Sequence, residues 1–591
     1  MSATHPSSGA NALQAAASRS HSLPRSDVTS RPTSVPPSAH VDRFAIERLP
    51  PLEQRAQLRY DTPELQALTA LISVNLVSVL LDDAIALKGW GTQPLLRSSK
   101  ITLSFSDVRE RVNRIAQVLT EDLHLVPGNR VLLRGGNSIG MALAWLAVVK
   151  AGLIAVATMP LLRAKELVDI IDKAQPTVAL CEGKLLDELR IAQHASSALQ
   201  TIVGFNLMDD PDGFASRCAL KNGVFCACAT APDDPAMMAF TSGTTGKPKA
   251  AVHTHRGILA ACEAWPRHVL RAQPNDIVVG SPPLAFTFGL GGLLIFPMWA
   301  GCSVYFPDAP YTPESMVDTI NAAGATICYT APTFYRQMAA FAQTKGLPTL
   351  HTSVSAGEGL PDATRLLWKQ ASGLHMLDGI GATELFHIFI SSPGAEVDAK
   401  RGSLAHLGVP GAPIGKVEPG YSAKVVGGDG VELPRGSMGK LAVIGPTACN
   451  YLDDARQAQY VKHGWNYPSD TFLQDADGYF FYQSRADDMI ISSGYNIGGP
   501  EVEDCLLMHP AVAECGVIGK LDPERGMLVK AFCVLRAGCI ADATMVQNLQ
   551  EHVKAHLAPY KYPREIEFLS ALPRTETGKL QRFRLRQTTS S

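Results

Sequence analysis

From about residue 41 onward the chain alternates short apolar runs with longer segments of helical period. Ser104–Leu123 carries apolar residues at helical spacing behind a short strand, and Arg130–Leu133 is an apolar run of strand length. Ser138–Lys150 predicts a helix, Ile154–Thr158 a strand, Ala164–Lys173 a helix and Thr177–Cys181 a strand. Pro313–Asn321, Thr326–Thr330 and Thr333–Ala342 repeat the order helix, strand, helix. Such alternation predicts parallel strands joined by crossover helices, an α/β fold, and no solenoid-like repeat interrupts it. Around Gly411–Ile444 the composition shifts to Gly, Val and Pro with short strands, which predicts a small β-rich subdomain. Ser484–Met489 reads as a charged loop. Cys515–Gly519 and Val529–Leu535 then predict strands and Thr544–Leu557 a helix, together a small α+β domain. The expected division is a tail at 1–40, a large domain at 41–485 and a small C-terminal domain at 486–591.

The 591 residues have a net charge of −2, with 46% hydrophobic and 18% charged positions. That is a globular composition, long enough for several domains, and it points to neither nucleic acid nor an anionic membrane as a partner. The 12 cysteines are scattered, and Cys226 and Cys228 lack a second pair at zinc spacing, so they read as reduced thiols of a cytoplasmic protein. Leu68–Leu81 contains Asn75, and Met141–Leu162 is broken by Lys150, Gly152 and Pro160, so both read as buried elements rather than membrane spans. Residues 1–40 are rich in Ser, Ala, Pro and His and cannot bury a core, so they are expected to be disordered; a transit peptide is the sharper alternative.

Chemistry concentrates first at Thr241–Lys249, TSGTTGKPK. Gly243 and Gly246 allow a tight backbone that exposes its N–H groups. Thr241, Ser242, Thr244 and Thr245 add hydroxyls, and Lys247 and Lys249 add positive charge. Such a nest suits a polyphosphate. It is not a Walker A loop, because Pro248 follows Gly246-Lys247.

The run resembles the phosphate loop of the adenylate-forming superfamily, which includes acyl-CoA ligases, luciferases and peptide-synthetase adenylation domains. Further motifs of that family follow in order. DGIGATE at Asp378–Glu384 resembles its second core motif; the resemblance implies that Thr383 contacts the α-phosphate and Glu384 holds Mg2+, with Asp378 and Ile380 beside the nucleotide. Ile380 stands where many members carry an aromatic residue. SAGEGLP at Ser355–Pro361 resembles the adenine-contacting strand end, which assigns Gly357 and Glu358 to ATP. Asp470, in YPSD, matches the acid that accepts the ribose hydroxyls, although Pro468 and Ser469 replace the usual Thr-Gly. In SRADDMIISSGYNIGGPEVE the resemblance implies Arg485 on ribose and phosphate, Asp487 as a hinge, and Gly494 and Tyr495 beside coenzyme A. PRTETGKLQR, Pro573–Arg582, resembles the last core motif, with Lys579 as the catalytic lysine.

Ala285–Gly292, AFTFGLGG, lies where the family builds its acyl pocket. Phe286, Thr287 and Phe288, flanked by small residues, suit a flat ring. His387, just after Glu384, would line the same pocket, with a packed core histidine as the plain alternative; His253 and His255 read as structural. DGIGATELFHIFISS and the tail APYKYPREIEFLSALPRTETGKLQRFRLR look like the benzoate-CoA and 2-aminobenzoate-CoA ligase branch. The resemblance implies ATP-dependent activation of an aromatic acid through an acyl-adenylate, then transfer to a thiol. The chain runs only about a dozen residues past Lys579, which favours free coenzyme A over a carrier domain in cis. An enzyme for a fatty or other aryl acid, one loading a separate carrier protein, and a silent binding paralogue are the competing classes. Intact Lys579, Glu384 and Asp470 weigh against the last, and a homodimer is left open.

Overall fold

A computed structural model describes residues 37–206, 213–241, 248–407, 409, 411–485, 488–492, 495–522, 525–557, 559–574 and 579–588. Among these the strands form four sheets. In the first, Thr201–Phe205, Val178–Glu182, Arg130–Arg134, Ile154–Thr158 and Pro235–Thr241 run parallel, and Lys249–Thr254 closes the edge antiparallel. The second has nine strands, and its centre is parallel from Met376–Gly381 through Thr352–Ser355, Ile327–Thr330, Ile277–Gly280 and Ser303–Tyr305 to Pro94–Arg97. The third is antiparallel and runs from Ser422–Val426 to Phe480–Arg485. The fourth lies wholly beyond residue 489, with Val512–Asp522 and Gly526–Leu535 as its long hairpin and Glu565–Phe568 parallel beside it. This is the expected α/β architecture, with a large N-terminal part, a β-rich region and a small α+β C-terminal part.

The expected elements form for local reasons. Ser104 caps Phe105–Gln117: its hydroxyl accepts from the Asp107 N–H at 3.2 Å, and Asp107 accepts from the Ser104 N–H at 2.8 Å. Ser138 caps Ile139–Lys150 by the one-way bond alone, its hydroxyl accepting from the Met141 N–H at 3.2 Å. That helix is apolar on every side because it is packed all round, and Ile154–Thr158 follows it; among the described residues no helix is long and apolar enough to cross a membrane.

Three expectations change. Ser484–Met489 is not loop throughout, since Ser484 and Arg485 end the strand Phe480–Arg485, where Arg485 pairs with Asp470. The β-rich region does not stop at Ile444 but continues to Arg485. The tail is shorter than 40 residues. The Ala39 N–H donates to Asp234 at 3.0 Å, and His40 is buried. Residues 1–36 lie outside the described residues.

Lys150 ends its helix with its side chain fully buried, and its ammonium donates to Asp82 at 2.7 Å. Removing the acid would strand a buried cation. Asp82→Ala should cost about 3 kcal/mol, read as an earlier first transition in urea unfolding. The double variant with Lys150→Met should recover most of that loss; no recovery would mean that Asp82 matters for another reason.

Candidate active site

A cavity of about 440 Å³ opens at the C-terminal ends of the parallel strands of the second sheet. Open α/β sheets place ligands at that end. Its walls bring together Phe286, Thr287, Phe288 and His387, then Gly357, Glu358 and Thr383, and finally Lys579. Seven of these eight come from the large N-terminal part, and Lys579 enters from the opposite side with Arg574 and Glu514.

The aromatic wall is built by a helical stretch, Thr287–Leu290, Gly291–Ile295 and Phe296–Ala300, whose middle turn widens to π geometry. Asn137 pins the approach to it, donating to the Pro282 carbonyl at 2.9 Å and accepting from the Leu284 N–H at 2.8 Å. His387 packs beside this stretch. Its ring centroid lies 4.5 Å from Phe296, 5.4 Å from Trp265 and 5.6 Å from Phe288. A Cβ on Gly291 would come within 2.5 Å of the His387 ring, so glycine is what admits the histidine. Burial lowers the His387 pKa to about 3, so the ring is neutral. Its Nε2 donates to the Phe288 carbonyl at 3.4 Å, which leaves Nδ1 as an acceptor without a partner among the described residues.

The backbone that delivers His387 is strained. Phe386 has φ +71° and ψ −52°, and the His387 N–H reaches back to the Leu385 carbonyl at 3.0 Å, closing a three-residue γ-turn. Thr383 and Glu384 precede it on one 3-10 turn, Thr383–Leu385. The Glu384 carboxylate is buried, accepts from the Tyr451 hydroxyl, and lies 3.8 Å from the Lys249 ammonium. Lys249 also donates to the Tyr451 hydroxyl at 2.8 Å. A single carboxylate, Glu384, next in sequence to Thr383, fits an ion that draws its other ligands from phosphates and water, as magnesium does.

Gly357 sits at φ +95°, a conformation glycine accepts freely, and its Cα edge lies under the Lys579 side chain. Glu358 does not point freely into the cavity. It accepts from the Thr333 hydroxyl at 2.9 Å and its N–H at 3.3 Å, at the start of the helix Pro332–Lys345, and lies 3.8 Å from Arg574. Burial raises its pKa, with Arg574 opposing.

Several expected ATP residues fall outside this lining. Asp378 is buried, with Arg365 at 3.2 Å and the Gly379 N–H at 3.0 Å, so its carboxylate is engaged inside the protein and not turned to a nucleotide. Burial, opposed by Arg365, lifts its pKa to about 6. Ile380 packs on the apolar cluster that includes Phe472 and Phe480. Asp470 opens the strand Asp470–Gln474, after Ser469 at φ +67°. Thr241 ends the strand Pro235–Thr241 opposite Lys249, and its hydroxyl is buried without a partner among the described residues. Ser242, Gly243, Thr244, Thr245, Gly246, Lys247, Asp487 and Gly494 lie outside the described residues, and Arg485 and Tyr495 are described by backbone alone. Both histidines read as structural are buried. His253 donates to the Thr383 carbonyl at 2.8 Å, and His255 accepts from the Leu76 N–H at 3.1 Å. Sequence reasoning missed Tyr451 and Glu514, which lie in no quoted motif, and Arg574, which lies in the last one but pairs with the distant Glu514 and Glu358.

The AMP-binding enzyme family matches residues 83–451, and the AMP-binding enzyme C-terminal domain matches residues 501–579. The chain belongs to the AMP-binding enzyme family, within its branch of aryl acid–CoA ligases. It is 33% identical to the benzoate–CoA ligase of Thauera aromatica over 513 residues, which cover 85% of this chain and 95% of that one. An anthranilate CoA ligase solved with anthranoyl-AMP superposes with a TM-score of 0.80 at 31% identity, covering 88% of this chain and 98% of that one. A benzoate CoA ligase from Burkholderia xenovorans LB400 gives a TM-score of 0.77 at 26% identity, covering 87% and 100%.

The depressed pKa of His387 fixes a sign. The folded value, about 3, lies below the free value of 6.5, so the ring stays neutral throughout pH 5.5–8. His387→Gln should lower kcat/KM for the acid substrate without changing the shape of the pH–rate profile in that window. Loss of an inflection near pH 6.5 in the variant would show that the ring titrates there.

Proposed function

We propose that the protein is an ATP-dependent ligase joining a benzoate-sized aromatic acid, 2-aminobenzoate first, to coenzyme A. The observation that carries this is the shared cavity, in which the Phe286–Phe288 wall and His387 face Thr383 and Lys579. A flat apolar slot suits an aryl ring. His387 is neutral and lines the same cavity, so this wall offers a ring no charge to desolvate. The names of the relatives support the same substrate class.

In the first half-reaction a carboxylate oxygen attacks the α-phosphorus of ATP, and the bond to the bridging oxygen breaks, releasing pyrophosphate. Lys579 orients the carboxylate and the α-phosphate and meets the charge that develops between them. Thr383 donates to the same phosphate, and the run Thr241–Lys247 cradles the others. Glu384 and Thr383 would hold magnesium, which neutralises phosphate charge when bound; Tyr451 and Lys249 keep the carboxylate in place for it. Asp470 and Arg485, paired across two strands, would meet the ribose. In the second half-reaction the small domain turns about Asp487 and withdraws Lys579. The thiol of coenzyme A, guided past Gly494 and Tyr495, attacks the acyl carbon and AMP leaves with the bonding pair.

Lys579→Ala should cut adenylate formation by about 100-fold or more, in line with the ~3 kcal/mol typical of a lost transition-state donor, while thioester formation from supplied acyl-AMP persists. Equal loss in both half-reactions would refute the division of labour. For the pocket, kcat/KM is measured with benzoate, 2-aminobenzoate, a bulky substituted benzoate and octanoate, with pyrophosphate release followed with and without coenzyme A. The parent should favour the two small aryl acids, and Phe288→Ala should weaken them and admit bulkier acids, with KM for ATP little changed. Preference of the parent for octanoate would defeat the aryl assignment. Turnover indifferent to coenzyme A would favour transfer to another acceptor.

A further inference from the structure

A cluster of soft donors stands apart from this cavity, in the small C-terminal part. The helix Gly499–Met508 presents Cys505, and the helix Ala543–His556 presents His552 and His556, four residues apart and so on one face. One donor atom from each of the three lies within 4.8 Å of the others. The geometry points to a binding site for a divalent transition-metal ion, zinc first, that clamps these two helices together.

Two imidazoles and one thiol are the ligand types zinc and its neighbours prefer over magnesium or calcium. The rings are already oriented. His552 gives its Nε2 proton to the Cys505 carbonyl at 3.0 Å, and His556 gives its Nδ1 proton to the His552 carbonyl at 2.8 Å. A carbonyl only accepts, so each ring keeps its other nitrogen unprotonated, and backbone carbonyls are the usual outer partners of ligating histidines. His509 packs 5.2 Å from His552, but its Nδ1 accepts from the Ala511 N–H at 3.2 Å, which protonates its far nitrogen. The fourth position therefore falls to water. Ligands around zinc sit about 3.5 Å apart, given bonds of about 2.0–2.3 Å; His556 is exposed and can close the remaining gap.

The position gives the clamp a mechanical role. Asp504, beside Cys505, accepts from the Ala363 N–H at 2.7 Å, and the Leu507 carbonyl accepts from Arg336 at 3.1 Å. The helix that would carry the metal is thus the one docked on the large N-terminal part.

The test uses the full-length chain stripped of metal and titrated with Zn2+ against a chromophoric chelator, with Co2+ as a spectroscopic substitute. One equivalent should bind per chain, with a thiolate-to-cobalt charge-transfer band and a rise in melting temperature. His556→Ala, an exposed change, should weaken Zn2+ at least ten-fold, and Cys505→Ser should abolish the charge-transfer band while the metal-free protein melts normally. Absence of a stoichiometric site, affinity untouched by His556→Ala, or a cobalt spectrum without thiolate character would each overturn the assignment. If Cys505→Ser does not fold, the His556→Ala affinity and the parent's cobalt spectrum decide.

Discussion

Six residues, 382–387, link the strand Met376–Gly381 to the strand Ile388–Ser391, and the rest of the site depends on how tightly they are held. In the reading proposed above they carry a phosphate-end pair, Thr383 and Glu384, and an acyl-end residue, His387, within one turn of chain. Each is fixed from a different direction. His253, on the edge strand of the first sheet, holds the Thr383 carbonyl at 2.8 Å; Thr447 holds the Leu385 carbonyl at 2.9 Å; Tyr451 holds the Glu384 carboxylate. The strained γ-turn at Phe386 persists because these bonds and the aromatic packing over-determine it. A looser link would let the phosphate and acyl ends drift relative to each other, and in-line attack tolerates little of that.

The same link separates two dielectric environments. On one side lie Glu384, Lys249 and Tyr451; on the other lie Trp265, Phe288, Phe296 and a histidine forced neutral. A charged group placed among those rings would have to be desolvated without compensation. On the proposed reading, charged groups lie only where phosphate charge would develop, and the acyl end is left to shape.

What was legible in the sequence was what lies in contiguous runs. Phe286 to Phe288, Gly357, Thr383, His387 and Lys579 converge on one cavity, and the capped helices at Ser104 and Ser138 follow from their own first turns. What was not legible depends on contacts between distant segments. Asp378 sits inside a motif, yet it is drawn inward by Arg365, which lies on a different element, the helix Asp362–Ser372. Tyr451 matters only because the edge strand brings Lys249 beside it. Ser469 holds φ +67°, a conformation that glycine accepts more readily, so the turn before Asp470 is held with an unfavourable residue. Ser484 and Arg485 read as loop from their charge and polarity, but pairing with the strand Asp470–Gln474 overrides that local preference.

Glu358 shows how the cavity is tied to the small C-terminal part. Arg574 is shared, with Glu514 at 2.8 Å on its own side and Glu358 at 3.8 Å across the cleft. In the two-step cycle proposed above, withdrawing Lys579 also withdraws Arg574, leaving Glu358 buried with fewer cations nearby. A buried carboxylate stranded in that way would resist the motion or take up a proton. The N-terminus of the helix Pro332–Lys345 reduces that cost, because Thr333 supplies two donors and the helix dipole favours negative charge there. Glu358 is thus served by two partial partners, one fixed in its own domain and one that arrives with the lysine. Because the fixed partner remains in both states, the arriving one adds a bias toward the closed cavity that a domain turn can still reverse.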